Sequence, residues 1–215
     1  MIDVLAANLG GLAAGVLVTL QLTAIAYVGS VLLGTLVAVF RVSPIPPLRA
    51  VGAVFVEVFR NIPLLSLLIL LAYGLPLAGV SFSLFTTAAI SLTLVSASFT
   101  CETVRAGING VSVGQAEAAR AIGMTFAQSL LQVILPQALR SMVQPLVNIF
   151  IGVALGSSLA ATIAVADLTY QAQQIGNETA ESMLMFVASA VVYVAIALLG
   201  GGAGTVLERR LAVRR

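Results

Sequence analysis

The side chains able to move protons, hold metals or attack a substrate are few in this chain, and their absence is as informative as their placement. There is no Lys and no His, and the one thiol is Cys101. A phosphate-gripping loop of the form Gly-x-x-x-x-Gly-Lys-[Ser/Thr] needs its lysine to reach the phosphates, so the chain cannot hydrolyse a nucleoside triphosphate by that route. A histidine proton relay is excluded, and one cysteine supports neither an internal disulfide nor a cysteine-based metal site. No catalytic residue, metal site or cofactor of its own is expected. What remains is two i, i+3 acid–base pairs, Glu57/Arg60 and Glu102/Arg105, each on one helix face. Ionisable groups inside apolar helices are functional candidates by default; near helix ends they also serve as ion pairs that fix those ends or close a gate. A second polar group is Asn148, Ser157 and Ser158, with Gly156 and Thr162, inside another apolar run. Its hydroxyls either bond back to their own helix or line a path for a zwitterionic ligand.

The elements that position these residues follow from composition. Of 215 residues, 60% are hydrophobic and 8% charged, with a mean hydropathy of +1.12. A soluble domain carries roughly 25% charged residues, so this chain cannot cover a water-facing surface. The reading is all-α and polytopic, a single transmembrane domain over 1–215 with about five spans at 9–40, 51–77, 82–104, 142–165 and 183–206. The first span exceeds the ~20 residues needed to cross a bilayer, so it tilts or begins as an interfacial segment near Gly10, Gly11 and Gly15. Its start lacks the basic flank of a signal peptide and reads as a retained span. Small-xxx-small spacings at Ser30/Gly34 and Gly200/Gly204 permit close helix contact in lipid, or reflect no more than the abundance of Gly and Ala.

Charge then orients the spans. Every basic residue is Arg, at 41, 49, 60, 105, 120, 140, 209, 210, 214 and 215. With five spans all ten fall on one side, whereas Asp3, Asp167, Glu178 and Glu181 fall on the other. The positive-inside rule places the N-terminus outside, and the 106–140 loop and the C-terminus in the cytoplasm. A pI near 9.1 could suggest a nucleic-acid partner, but the arginines form no contiguous basic face and none is expected. The segment from Asp167 to Glu181, rich in Gln, reads as a solvated outer loop or a docking rim.

The 106–140 loop is the one long stretch with frequent polar residues. Gln115 to Ile122 reads as a short helix of good formers, capped by Gly123. Thr125 reads as the N-cap of a second helix, which Pro136 interrupts or ends before the fourth span. The result is a helix–turn–helix whose alanines leave a surface able to lie in a partner's groove. Pro63 likewise breaks or kinks the second span beside Asn61, and backbone freed by such a break tends to line a cavity.

Glu117-Ala118-Ala119, three residues, Gly123, nine residues, then Val133-Ile-Leu135-Pro136 resembles the EAA signature of ABC importer permeases. Phe55-Val-Glu57-Val-Phe-Arg60-Asn-Ile-Pro63-Leu-Leu and Glu102-Thr-Val-Arg105-Ala-Gly-Ile are similar to segments of its polar amino acid branch. Pro136-Gln-Ala-Leu-Arg140 and Ala164-Val-Ala-Asp167-Leu168 continue the likeness, which runs over about residues 17 to 205. The resemblance implies a type I importer permease in the inner membrane of a prokaryote. Two such subunits would form the pathway, non-identical ones here more readily than identical. Two cytoplasmic ABC ATPases would carry ATP and Mg, and an external substrate-binding protein would deliver glutamate, glutamine or a similar amino acid. Glu117, Ala118, Ala119 and Gly123, with Leu135 and Pro136, would couple the ATPase to the helices. Asn61, Pro63, Asn148, Ser157 and Ser158 would lie on the substrate path. Where the branch often reads Leu-Lys-Asp-Thr-Ser-Leu, this chain has Leu155-Gly156-Ser157-Ser158-Leu159, which points to the partner permease for substrate-reading charges. An ion-coupled secondary transporter or channel subunit is the alternative. A non-transporting membrane scaffold is a third class.

Overall fold

A computed structural model describes residues 2–211, so Arg214 and Arg215 lie outside the described residues. Every secondary-structure element among the described residues is a helix. A short α1 (Ile2–Ala7) leads into α2 (Leu9–Val42), 34 residues without a break, or ~51 Å at 1.5 Å per residue. Among the described residues, four stretches are long and apolar enough to cross a membrane: α2, α6 (Leu84–Asn109), the run Ser129–Ile163, and α11 from Ser182 to Arg210.

The second of the five expected spans, 51–77, is not a straight helix. Residues 46–77 form α3 (Pro46–Asn61) and a second rod beginning with α4 (Leu64–Ile69), bent by 103° at Ile62-Pro63. Pro63 cannot donate a backbone hydrogen bond and its ring clashes with the preceding turn, so the break expected there becomes nearly a right angle. The rod from Leu64 to Leu77 spans only ~21 Å, short of the ~30 Å hydrocarbon core. Packing explains where α3 lies. Gly52 sits against Phe40 and Arg41, and Val56 buries with Val37, Ala38 and Cys101. Hence α3 runs across the bundle at the end where α2 and α6 finish.

Prolines are accommodated by widened turns. Leu70–Gly74 is a π-helical turn directly before α5 (Leu75–Leu77), which contains Pro76. Ser129–Ile134 is another, between the single turn α8 (Phe126–Gln128) and α9 (Leu135–Gly156), which opens on Leu135-Pro136. Pro136 was expected to interrupt or end the helix. Instead the widened turn moves the carbonyl its ring would strike, and one helical run continues from Phe126 to Gly156. After Gly156 the chain tightens into a 3₁₀ segment (Ser157–Ile163) and leaves through Ala164, a left-handed residue at φ 61°.

The 167–181 segment is a helix, α10 (Leu168–Thr179), not the solvated loop the sequence favoured. Its apolar positions Leu168, Ala172 and Ile175 bury against Leu12, Met185 and Tyr193, while Gln173, Gln174 and Asn177 face outward. Asp167 caps it, accepting a bond of 2.8 Å from the Tyr170 amide.

Small residues set the helix spacing, as both glycine stripes allow. A Cβ on Gly34 would lie 2.6 Å from Thr100 Cβ and 2.7 Å from the Ala97 carbonyl, and one on Gly200 would lie 2.6 Å from Phe150. Without a hydrophobic drive between helices in lipid, such close approach supplies the packing energy. The central core gathers Leu22, Leu68, Leu92, Val153 and Ile163 from five segments.

Candidate functional site

The principal cleft lies between the Pro63 break, α6 and α9. It has a volume of about 690 Å³, within the ~300–1,000 Å³ typical of small-ligand sites. Its walls are mostly apolar (Leu64, Leu92, Val95, Phe99, Ile149 and Val153), and its polar side chains include Arg60, Ser96, Glu102, Thr103, Ser141 and Asn148. Pro145 sits inside α9 and removes the amide that would bond the Ser141 carbonyl. Both residues line the cleft, so backbone polarity is left where a cavity can use it.

At one end of this cleft charge is concentrated. Arg105 Nη1 donates to Glu102 Oε1 and Oε2 at 3.0 and 3.2 Å. Arg41, from the last turn of α2, lies 3.3 Å from the same carboxylate. The expected Glu102/Arg105 pair is therefore formed, and Arg41 makes it a three-membered cluster tying α2 to α6. The expected Glu57/Arg60 pair is not formed. Among the described residues the ion pairs are Arg41–Glu102 and Arg105–Glu102. Arg60 instead lies over the Phe99 ring, 5.7 Å from its centroid. Glu57 is exposed, and its carbonyl accepts a 2.7 Å bond from Asn61 Nδ2. The 103° turn after Asn61 gives the physical reason: it brings the last turn of α3 against α6, where an aromatic face competes for the guanidinium.

The expected path residues divide. Asn148 lines the cleft, and Pro63 makes the bend that brings Leu64 to it. Asn61 turns back to cap its own helix. Ser157 Oγ donates to the Ala154 carbonyl at 2.7 Å and Ser158 Oγ to Leu155 at 2.6 Å, and neither lines the cleft. A Cβ on Gly156 would meet only Leu64 and Leu92, at 3.3 and 3.5 Å. Phe99, Thr103 and Arg41 were missed because their roles depend on packing between helices. The Ser96/Phe99/Thr103 spacing on one face of α6 was the available signal.

The expected helix–turn–helix is present as α7 (Val113–Ala121) followed by α8. Gly123, at φ 82°, ends α7. Its amide bonds the Arg120 carbonyl at 2.9 Å, and the Met124 amide bonds Ala119 at 3.1 Å, the paired closure of a glycine-ended helix. Thr125 caps the next helix reciprocally: Gln128 N donates to Thr125 Oγ1, and Thr125 N donates to Gln128 Oε1, as in a capping box. Glu117, Ala118, Ile122 and Gly123 are exposed, whereas Ala119 is buried and faces the chain itself. Leu135 and Pro136 are half-buried at the start of α9.

At the opposite end a different polar cluster joins α2, α10 and α11. Asp167 is fully buried. Its second oxygen accepts from Tyr193 Oη at 3.3 Å, Tyr193 Oη lies 3.1 Å from Thr169 Oγ1, and the Leu168 amide donates to Thr19 Oγ1 at 3.1 Å. Gly15 admits the turn, since a Cβ there would stand 2.8 Å from Leu168 Cα.

Against known proteins, the family described as binding-protein-dependent transport system inner membrane component matches residues 30–213. The chain is 38% identical over 193 residues to the "Probable glutamine ABC transporter permease protein GlnM" of Bacillus subtilis (strain 168), covering 90% of this chain and 89% of that protein. It is 37% identical to the L-cystine transport system permease protein TcyB of the same organism, covering 93% and 86%. A solved chain from "Crystal structure of an amino acid ABC transporter with histidines" superposes with a TM-score of 0.91 at 34% identity, covering 96% of each chain.

Proposed function

The chain belongs to the binding-protein-dependent transport system inner membrane component family, as a permease subunit of an amino-acid ABC importer, and on that premise we propose how its parts divide the work. The observation that carries the reading is the pairing of an internal cleft with an exposed, glycine-ended helix α7 joined to the same helical run. The cleft is this subunit's half of the pathway. A second permease, non-identical more readily than identical, closes its open side.

The arginine-bearing end, where α2, α6 and α11 finish, is cytoplasmic, and α10 with the start of α2 lies outside. Two cytoplasmic ATPases dock on α7 through Glu117, Ala118 and Gly123, with Ile122 adding exposed apolar surface. Ala119 keys α7 to the widened turn, and Leu135 and Pro136 pass the displacement into α9. The lysine-free chain leaves ATP and Mg to those partners. The Arg41–Glu102–Arg105 cluster fixes the inner helix ends, and Glu57 faces water beside it. An external binding protein meets the outer face of α10. The cargo is a polar amino acid, with glutamate or glutamine favoured, in the inner membrane of a prokaryote.

The test is uncoupling. Gly123→Asp adds a Cβ at φ 82°, where L side chains are strained, and a charge at the docking surface; Glu117→Lys reverses the charge of α7. Each should abolish ATP-driven uptake in vesicles and release the ATPase on purification, while the permease still inserts. Full uptake by both variants would overturn the assignment of α7.

A further inference from the structure

We propose that Arg60 is a carboxylate-binding residue in the cleft, and that the pathway therefore admits neutral and anionic amino acids in preference to cationic ones. The inference rests on the permease reading and adds to it the charge class of the cargo and the residue that reads it.

Glu102 lines the cleft, but its carboxylate is engaged by both Arg41 and Arg105, so it has little capacity left to attract a cation. Arg60 lines the same cleft and makes no ion pair among the described residues. Its partner is the face of Phe99, which steadies a guanidinium without neutralising it. Glu57, the nearest acid in sequence, does not line the cleft and is not paired with Arg60. Of the charges at this end, Arg60 and Glu102 line the cleft, and Glu102 is already matched by Arg41 and Arg105, so the surplus there is positive.

Apolar walls make that excess effective, because low-dielectric surfaces focus the field of a charge into the cavity between them. A guanidinium presents its donors in a fork that matches a carboxylate. Every amino acid brings one α-carboxylate; a glutamate brings two, and an arginine or lysine brings a second cation that meets an already positive mouth. Asn148, Ser96 and Thr103 line the same cleft and offer neutral oxygens to an α-ammonium group. Gly156, Ser157 and Ser158 bring no free polar group to it, so, among the described residues, Arg60 is the charged side chain lining the cleft that has no charged partner.

Selectivity of the external receptor is removed from the test by leaving the receptor out. The permease complex is purified with its ATPase, and binding of radiolabelled glutamate, glutamine and arginine is measured by equilibrium dialysis. The wild-type complex should bind glutamate and glutamine more tightly than arginine. Arg60→Gln should weaken glutamate at least about tenfold, the scale of one lost charge-assisted hydrogen bond, and narrow the gap to arginine. Arg60→Lys, which keeps the charge, should recover much of the loss. Equal glutamate binding by wild type and Arg60→Gln would overturn the proposal, as would arginine binding as tight as glutamate, or no binding of any of the three by the wild type. Receptor-driven uptake by the same wild-type complex in vesicles reports separately on the permease reading; its absence would indict that reading.

Discussion

Two carboxylates drawn into this bundle, Glu102 and Asp167, are satisfied in opposite ways. Glu102 is about a third exposed, beside an open cleft, and is held by guanidiniums from two helices. Asp167 is fully buried, and its recorded partners are neutral: an amide from its own helix and the phenol of Tyr193. Charge pairs act at a distance and tolerate rearrangement, whereas bonds to neutral donors fail once geometry shifts by a fraction of an ångström. The arginine end thus rests on the kind of interaction that tolerates a change of partner, and the Asp167 end on one that depends on fixed geometry around α10.

The largest effect should come from wedging the fixed end open. Gly15→Leu would drive a side chain into Leu168 and the Asp167 carbonyl, 2.8 and 3.0 Å from a Cβ. With backbone on the far side, the expected cost is about 3 kcal/mol or more, seen as lost yield and a lower melting temperature of the purified complex. An unchanged melting temperature would break the comparison at once. Next, Asp167→Ala should cost about 2 kcal/mol by stranding the Tyr170 amide and the Tyr193 hydroxyl. Asp167→Asn should restore most of that, because its one oxygen accepts from the Tyr170 amide and its NH2 group can donate to Tyr193 Oη in place of the second oxygen.

Glu102 should answer the same exchange differently. Glu102→Gln should cost about 1 kcal/mol in stability, with no rescue by its neutral isostere, since two guanidiniums lose their counter-charge. Uptake should fall further than stability does. The smallest effect is on salt. Raising ionic strength from about 0.1 to about 1 M shortens the screening length from ~10 to ~3 Å. The melting gap between wild type and Glu102→Gln should then shrink by a few tenths of a kcal/mol, while the Asp167→Ala gap stays constant. Equal salt responses would remove the distinction.

Local features were legible in the sequence. Gly123 and Thr125 cap their helices as their residue types demand, and the Pro63 break and the glycine stripes fall where expected. Non-local features were not. Nothing in the spacing of Glu57 and Arg60 shows that a 103° bend will give Phe99 first claim on the guanidinium, and Arg41 meets Glu102 only because α2 and α6 finish together. The α10 helix was legible but overlooked: Asp167 as a cap and Leu168, Ala172 and Ile175 on one face were masked by four surrounding polar amides.

The widened turn before Pro136 has a consequence in angular terms. An α-helix advances about 100° per residue, and a π-helical turn inserts extra chain without adding a full revolution. Leu130 and Val133 within it, and Ser141 and Asn148 beyond it, therefore do not share one helical wheel. The turn acts as a phase shifter, orienting the face that meets α7 independently of the face that meets the cleft. Deleting one residue from Ser129–Ile134 would rotate one face against the other and leave every residue type on both intact.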